Sequence, residues 1–358
     1  MNIVIDNVIF AWQKSGGISV VWHEIIKRML DMKQFRGKLQ FINFEGSDGN
    51  MFFRDLAISD RQVALRQSKK WFGVKRYFSQ KYFSEEPFIY HSTYYRVCSN
   101  MKAVNIVTVH DFTYEKFTHG LKRWLHSWSK RRALLRADHI ICVSESTKND
   151  LLEFIPEVPS DRVHVVYNGA SEDFHKLSDD CRHMGEKPYL VFVGNRAAYK
   201  NYALAVKTAS LAGMKLLIVG GKLSDAELAI THEHLKDNFE ELGRIDNDAL
   251  NRLYNNAFAL IYPSAYEGFG LPVVEAQKAG CPVLALNTSS ISEIVGNRDQ
   301  LVTEASPEAF VRQIERLKQL DYRNEIVDQG LKNAKRYSWD NTVRQYVSLY
   351  ENIMKQYT

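Results

Sequence analysis

The sequence predicts an α/β protein built from two domains, each a parallel sheet with crossover helices. Three observations carry that reading. The chain has 358 residues, which at roughly 150 residues per domain exceeds what one core organises. Short apolar runs alternate with amphipathic stretches in two separate series, the rhythm of parallel strands joined by helices. A polar stretch with no apolar period divides the two series. With 45% hydrophobic and 25% charged residues, and only 8 prolines and 19 glycines, the composition excludes the fibrous and disordered classes.

In chain order, Asn2-Ile3-Val4-Ile5-Asp6 reads as the first strand and lacks the basic and apolar regions of a secretory leader. Ile3–Ile5, Leu39–Phe41, Val104–Val109, His139–Val143 and Val163–Val166 supply the first sheet. The polar stretch from Asn168 to Pro188 holds the expected linker, residues 171–187. Tyr189–Val193, Leu216–Val219, Phe258–Tyr262 and Val283–Ala285 supply the second sheet. After Ser338, a suitable N-cap, Trp339, Val343, Tyr346, Val347, Tyr350 and Met354 recur at helical spacing, so the chain ends in an amphipathic helix that must pack on something. The expected organisation is therefore a domain 1–170, the linker 171–187, a domain 188–337 and a terminal helix 338–358. Apolar stretches such as Ala257–Tyr262 are strand-sized, against about 20 residues for a membrane span, so no span is expected. Cys98, Cys142, Cys181 and Cys281 lack metal-ligand spacing and read as free thiols in a reducing cytoplasm.

The stretch Pro263–Pro282, PSAYEGFGLPVVEAQKAGCP, follows an expected strand and opens a helix, with Pro272 suited to its first turn and Gly280 and Pro282 to its end. Gly268 and Gly270 let backbone approach a ligand closely, and amides at a helix N-terminus favour an anion there. Glu267 and Glu275 flank this turn. A carboxylate accepts two neighbouring hydroxyls, which is how a sugar and a ribose on either side of a diphosphate would be recognised. The position also suits Glu275 to the helix dipole alone. The two glutamates share one turn, a poor arrangement for an acid and a base flanking a glycosidic bond. No Gly-x-Ser-x-Gly, His-Glu-x-x-His or Gly-x-x-x-x-Gly-Lys motif occurs, which removes simple hydrolases and kinases. Asp246-Asn247-Asp248 has the Asp-x-Asp spacing of metal-dependent sugar transferases, but it precedes a helix, where an N-cap is the better reading. No metal is expected.

Glu267-GFGLPVV-Glu275 resembles the signature of the retaining nucleotide-sugar glycosyltransferases of family 4. Ser15-Gly16-Gly17-Ile18, Val109-His110-Asp111, Val143-Ser144, Tyr167-Asn168-Gly169, Val193-Gly194-Asn195-Arg196 with Lys200-Asn201, and Leu242-Gly243-Arg244-Ile245 occur in the family's order, so the resemblance covers nearly the whole chain. It implies the GT-B fold: two Rossmann-like domains facing a central cleft, the nucleotide held mainly by the second, and the C-terminal helix crossing back to the first. It implies four catalytic residues, Glu267, His110, Arg196 and Lys200. Arg196 and Lys200 would stabilise the departing diphosphate without a metal. Gly16 and Gly17 would offer it backbone amides from the first domain. Glu275 would hold the ribose, and Glu267 with Phe269, Gly270 and Leu271 the donor sugar. His110 would face the sugar's 6-hydroxyl side, Asp111 would orient its loop, and Ile245 completes the donor-binding set. The family is thought to retain configuration by same-face attack with the leaving phosphate as base. Residues 194–201, GNRAAYKN, are most similar to mannosyl- and rhamnosyl-type enzymes of bacterial surface polysaccharide. That favours GDP-mannose over a UDP-sugar as donor and a glycan or lipid-linked acceptor.

The net charge of +5 lies wholly in the first half: residues 1–180 carry 26 basic and 21 acidic side chains, residues 181–358 carry 21 of each. Residues 61–81 hold seven Lys/Arg and no acid, interleaved with Trp71, Phe72, Tyr77 and Phe78. That pattern suggests a nucleic-acid-binding protein, against which stand the small net charge and the lack of any nucleic-acid fold signature. No nucleic-acid partner is expected. Residues 122–136 add six Lys/Arg and again no acid. Drawn as a helix, Leu121, Trp124, Leu125, Trp128 and Leu135 share one face, blurred by Arg132, while Lys122, Arg123 and Lys130 point elsewhere. The pattern suits peripheral attachment to an anionic membrane surface, or equally a domain core beneath a solvated basic face.

Overall fold

Strand β1 (Asn2–Asp6) is buried from its second residue onward, as an apolar run flanked by covered sheet faces requires. It lies within a seven-stranded sheet with β2 (Leu39–Phe44), β3 (Val63–Gln67), β4 (Phe88–Ser92), β5 (Ala103–Val109), β6 (His139–Cys142) and β7 (Val163–Val165), in the order β3-β2-β1-β4-β5-β6-β7. A second, six-stranded sheet contains β8 (Tyr189–Val193), β9 (Lys215–Val219), β10 (Phe239–Gly243), β11 (Ala259–Tyr262), β12 (Val283–Leu286) and β13 (Leu301–Val302), in the order β10-β9-β8-β11-β12-β13. Every neighbouring pair is parallel. The strand order reverses between β1 and β4 and again between β8 and β11, and open α/β sheets bind ligands at the carboxyl ends of the strands beside such switch points. Strands β3, β4, β10 and β13 are absent from the runs expected above. The computed structural model describes residues 1–68, 70, 72–75, 77–178 and 188–357. Trp71, Cys181 and residues 179–187 of the expected linker lie outside the described residues.

The chain forms two compact units, Met1–Asn168 with Trp339–Thr358, and Gly169–Ser338. The polar stretch after Asn168 is docked on the second unit. The side-chain oxygens of Asn251 and Asn255 accept from the backbone N–H of His175 (3.1 Å) and Leu177 (2.8 Å), and Phe174 is buried. The terminal helix Trp339–Lys355 belongs to the first unit and buries Trp339, Val343, Tyr346 and Tyr350 there. Its Tyr350 hydroxyl lies 2.7 Å from His91 Nδ1, and Thr108 Oγ1 lies 2.9 Å from His91 Nε2. Burial, with His110 adding, pushes His91 down to about 3, so a neutral ring with both nitrogens engaged sits inside β4. Cys98, Cys142 and Cys281 are buried free thiols. Among the described residues no helix is long and apolar enough to cross a membrane.

Candidate functional site

In the second unit, loops leave the carboxyl ends of β8, β9, β10 and β11 on one edge of the sheet. Lys200 follows β8 and Glu267 follows β11, so the switch point sets them against each other. Lys200 Nζ pairs with Glu267 Oε1 and lies 3.3 Å from the Tyr262 hydroxyl. Both partners are largely buried, 12% and 11% exposed, so the pair works in a medium where charge is strongly felt. The loop carrying Glu267 is fixed from behind. Glu267 N–H donates to Ser289 Oγ at 2.8 Å, and Ser290 Oγ donates to the carbonyls of Glu267 and Phe269, each at 2.9 Å.

Gly270 ends this loop at φ 98° and caps the helix Leu271–Lys278, whose first turn has Pro272 and no capping side chain. A Cβ on Gly270 would stand 2.7 Å from Ile291 Cδ1, so only glycine fits. Pro272 has no N–H and Val273 N–H donates to the Gly270 carbonyl at 3.0 Å, so of this first turn the Leu271 amide is left for an anion. Leu271 is partly exposed at that end, whereas Phe269 is buried with its ring edge-on to Tyr337 at 5.7 Å. Glu275 sits one turn further along, half-buried, its carboxylate making no hydrogen bond or ion pair among the described residues. Burial pushes its carboxyl up to about 7. The neighbouring Tyr254 hydroxyl is buried and also without a hydrogen-bond partner, and burial followed by the charge of Glu275 raises it well above the phenol range. A desolvated carboxylate without donors is costly, and hydroxyls of a ligand are the groups that would relieve it.

Arg196 stands apart from this pair. Its Nε lies 3.1 Å from Glu227 Oε2, and Nη2 donates to the carbonyls of Gly221 and Lys222, both at 2.7 Å. The two cations grouped by the sequence thus each have their own carboxylate, because Arg196 meets the segment after β9 on one side of β8 and Lys200 the segment after β11 on the other. Ile245 follows β10 and is half-buried. Asp246 Oδ1 accepts from Ala249 N–H at 2.8 Å as an N-cap, and Asp248 pairs with Arg252 one turn on.

In the first unit, Gly16 caps the helix Gly17–Asp31, again without a capping side chain, and Gly17 borders open space. His110 follows β5 and is 9% exposed, with a buried Nε2 that has no hydrogen-bond partner. Burial, with Lys130 adding and Asp111 opposing, pushes it down to about 4, so the imidazole is neutral near pH 7. Asp111 Oδ1 accepts from Thr113 N–H at 2.9 Å and fixes the turn after it.

The whole chain is similar in fold to sucrose-phosphate synthase from Thermosynechococcus elongatus (TM-score 0.74, 17% identity, covering 99% of this chain and 100% of that one). It is equally similar to Anabaena HepE in complex with UDP and glucose (TM-score 0.74, 13% identity, 98% and 100% covered). Residues 65–174 match the family model Glycosyltransferase Family 4, and residues 173–335 match Glycosyl transferases group 1. The chain belongs to the GT-B glycosyltransferases. This GT-B glycosyltransferase is 27% identical over 240 residues to O-antigen chain mannosyltransferase B of Escherichia coli, covering 62% of this chain and 63% of that protein. It is 26% identical over 216 residues to O-antigen chain mannosyltransferase RfbU of Salmonella typhimurium, covering 59% of each. The match therefore spans less than two thirds of these relatives' own lengths.

Four residues at this edge of the second sheet were not among the site residues the sequence singled out: Glu227 and Tyr254 on helices, and Ser289 and Ser290 after β12. For Glu227 a signal existed. Ser224 and Glu227 have capping-box spacing, and the box forms, with Ser224 N–H and Oγ donating to Glu227 Oε2 at 2.8 and 2.9 Å. That the same carboxylate also meets Arg196 follows only from the sheet order.

Proposed function

We propose that this glycosyltransferase moves a hexose, mannose before others, from a nucleoside diphosphate to a hydroxyl of a glycan or lipid-linked acceptor in bacterial surface-polysaccharide synthesis. GDP-mannose is favoured over a UDP-sugar. The single observation that carries the reading is Glu275, a desolvated carboxylate without donors beside an uncapped helix N-terminus at the switch point. Ribose hydroxyls supply the missing donors, and the diphosphate meets the Leu271 amide and Lys200. The mannosyltransferase names of the Escherichia coli and Salmonella relatives support the choice of sugar. Glu267, already paired with Lys200, is fitted to accept sugar hydroxyls rather than to attack carbon, which agrees with retention by same-face attack. In the first unit, neutral His110 has a ring nitrogen available to a sugar hydroxyl. Calorimetric titration with GDP, GDP-mannose, UDP and UDP-glucose tests the donor. Tighter binding of the guanine pair is expected; tighter binding of the uridine pair turns the reading to a UDP-sugar, and no binding of any of the four removes it.

The Glu275 contact has a pH signature. Hydroxyl donors favour the ionised carboxylate, which becomes the minority form below about pH 7. Wild-type affinity for GDP is expected to fall about tenfold more between about pH 8 and 6 than that of Glu275→Gln, a variant that shares every other titration. At the upper pH the variant is expected to bind about 10- to 150-fold more weakly, the worth of a charge-assisted hydrogen bond. Identical pH profiles in the two proteins would remove the ribose from Glu275.

The reaction is proposed to be metal-independent, because Lys200 and Arg196 supply positive charge and Asp246 and Asp248 are occupied by their own helix. Turnover is expected to survive EDTA. Loss of turnover that Mn²⁺ restores would return Asp246 and Asp248 to metal binding.

A further inference from the structure

The helix Gly120–Leu135 faces its own domain with the side that an ordinary surface helix keeps in water. Lys130, Ala133 and Leu134 are buried, at 1%, 3% and 1% exposure. Leu121 (77%), Trp124 (60%), Trp128 (40%) and Leu135 (40%) are exposed. At 100° per residue these four fall within one sector about 60° wide. Lys130 explains the orientation. Its ammonium donates to the Asp111 carbonyl at 2.5 Å and to Glu115 Oε2 at 3.1 Å, and lies 3.5 Å from the centre of the Phe112 ring. Turning the helix to bury the indoles would strip a buried charge of all three partners, a large penalty. The apolar stripe is therefore held outward.

Cations border the stripe. Arg131 and Arg132 flank the sector on its two sides, Arg131 pairing with Glu157. Arg132 donates to the Tyr77 carbonyl at 2.9 Å and to Ser79 Oγ at 3.2 Å, with its guanidinium 5.7 Å from the Trp128 ring, and Arg136 reaches the same Ser79 Oγ at 3.4 Å. These bonds draw the other basic segment alongside, where Val74 (53%) and Phe78 (55%) are also exposed. Residues Tyr77 and Ser79 of the second acid-free stretch thus lie against the rim of this helix, beside its indole, aliphatic and guanidinium groups. An apolar stripe between cations is the pattern of a helix lying in a membrane interface. A second copy of this chain on the same patch would set arginine rim against arginine rim.

We propose that this face of the first unit docks on an anionic lipid bilayer, with the indoles at headgroup depth and the arginines on lipid phosphates. Docking is independent of sugar transfer, and its test reads no activity. The test is sedimentation with vesicles of about 30% phosphatidylglycerol in phosphatidylcholine, beside vesicles of phosphatidylcholine alone. Wild type is expected to pellet with the acidic vesicles at low ionic strength, to be released by about 0.5 M salt, and to stay in solution with the neutral ones. Trp124→Ser with Trp128→Ser is expected to lower partitioning about tenfold or more, and Arg136→Glu by about fivefold or more. All three side chains are exposed, so an unchanged Tm shows that the fold stands. No pelleting, equal pelleting with neutral lipid, or a double variant that pellets like wild type overturns the proposal. So does a wild-type dimer, dispersed by the same substitutions, that ignores vesicles.

Discussion

Lys200→Ala is expected to lower turnover about 100- to 1,000-fold at saturating donor and acceptor, with a much smaller change in nucleotide affinity. The asymmetry follows from the geometry. In the resting protein Lys200 already has a carboxylate partner in Glu267, so the diphosphate of the bound donor gains only part of what the ammonium can give. As the bond to the diphosphate breaks, further negative charge grows beside the same ammonium, and the interaction is strongest then. Removing Lys200 also leaves Glu267 partly buried without its cation, which costs stability. Glu267→Gln added to Lys200→Ala is expected to recover that stability without recovering turnover, and this separates the chemical role from the structural one. Single-turnover release of nucleoside diphosphate measures it, and wild-type rates in Lys200→Ala would take Lys200 out of the reaction.

Gly270→Ala is expected to destabilise the second unit by about 2–5 kcal/mol and to abolish donor binding. Two costs add. The residue holds φ 98°, which alanine adopts only with strain, and the new methyl would stand 2.7 Å from Ile291 Cδ1 and 3.2 Å from Ile294 Cδ1. Both isoleucines are fully buried, so neither has room to retreat. The backbone must shift instead, and it carries the helix N-terminus and the Glu267 loop with it. Gly17→Ala is the contrast: the position borders open space, and stability should change by no more than about 0.5 kcal/mol. Denaturant midpoints of the two variants decide between a tight turn and a tolerant one.

What could be read in the sequence was whatever is encoded locally. The apolar central strands, the turn chemistry around Gly270 and Pro272, and the terminal helix with its apolar spacing are all set by neighbouring residues. The missed strands fail for three different reasons. Strand β4 reads FIYHS, where His91 and Ser92 break the apolar run, and His91 is tolerated because Tyr350, 259 positions away, reaches its ring. Strands β3 and β10 are sheet edges carrying Arg66, Glu240 and Glu241, the charges by which edges resist pairing with other chains. Strand β13 has two residues. The glutamate pair of the site was visible, but the division of its cations was not. Arg196 turns to the β9 side of β8 and Lys200 to the β11 side, and Glu227 arrives from a helix that the sequence marks only as capped. In the basic helix the apolar stripe was visible and its direction was not, because the deciding contact is between Lys130 and a glutamate on another helix, Glu115.

In the proposed function the carboxyl edge of the second sheet holds a nucleoside diphosphate by its ribose and its phosphates, and a crystal structure of the protein with GDP decides whether it does. Both ribose hydroxyls are expected at about 2.6–3.2 Å from the Glu275 carboxylate, with the diphosphate against the first turn of the Leu271–Lys278 helix and within reach of Lys200. Nucleotide bound elsewhere on the chain, or bound with Glu275 still lacking donors, would contradict it.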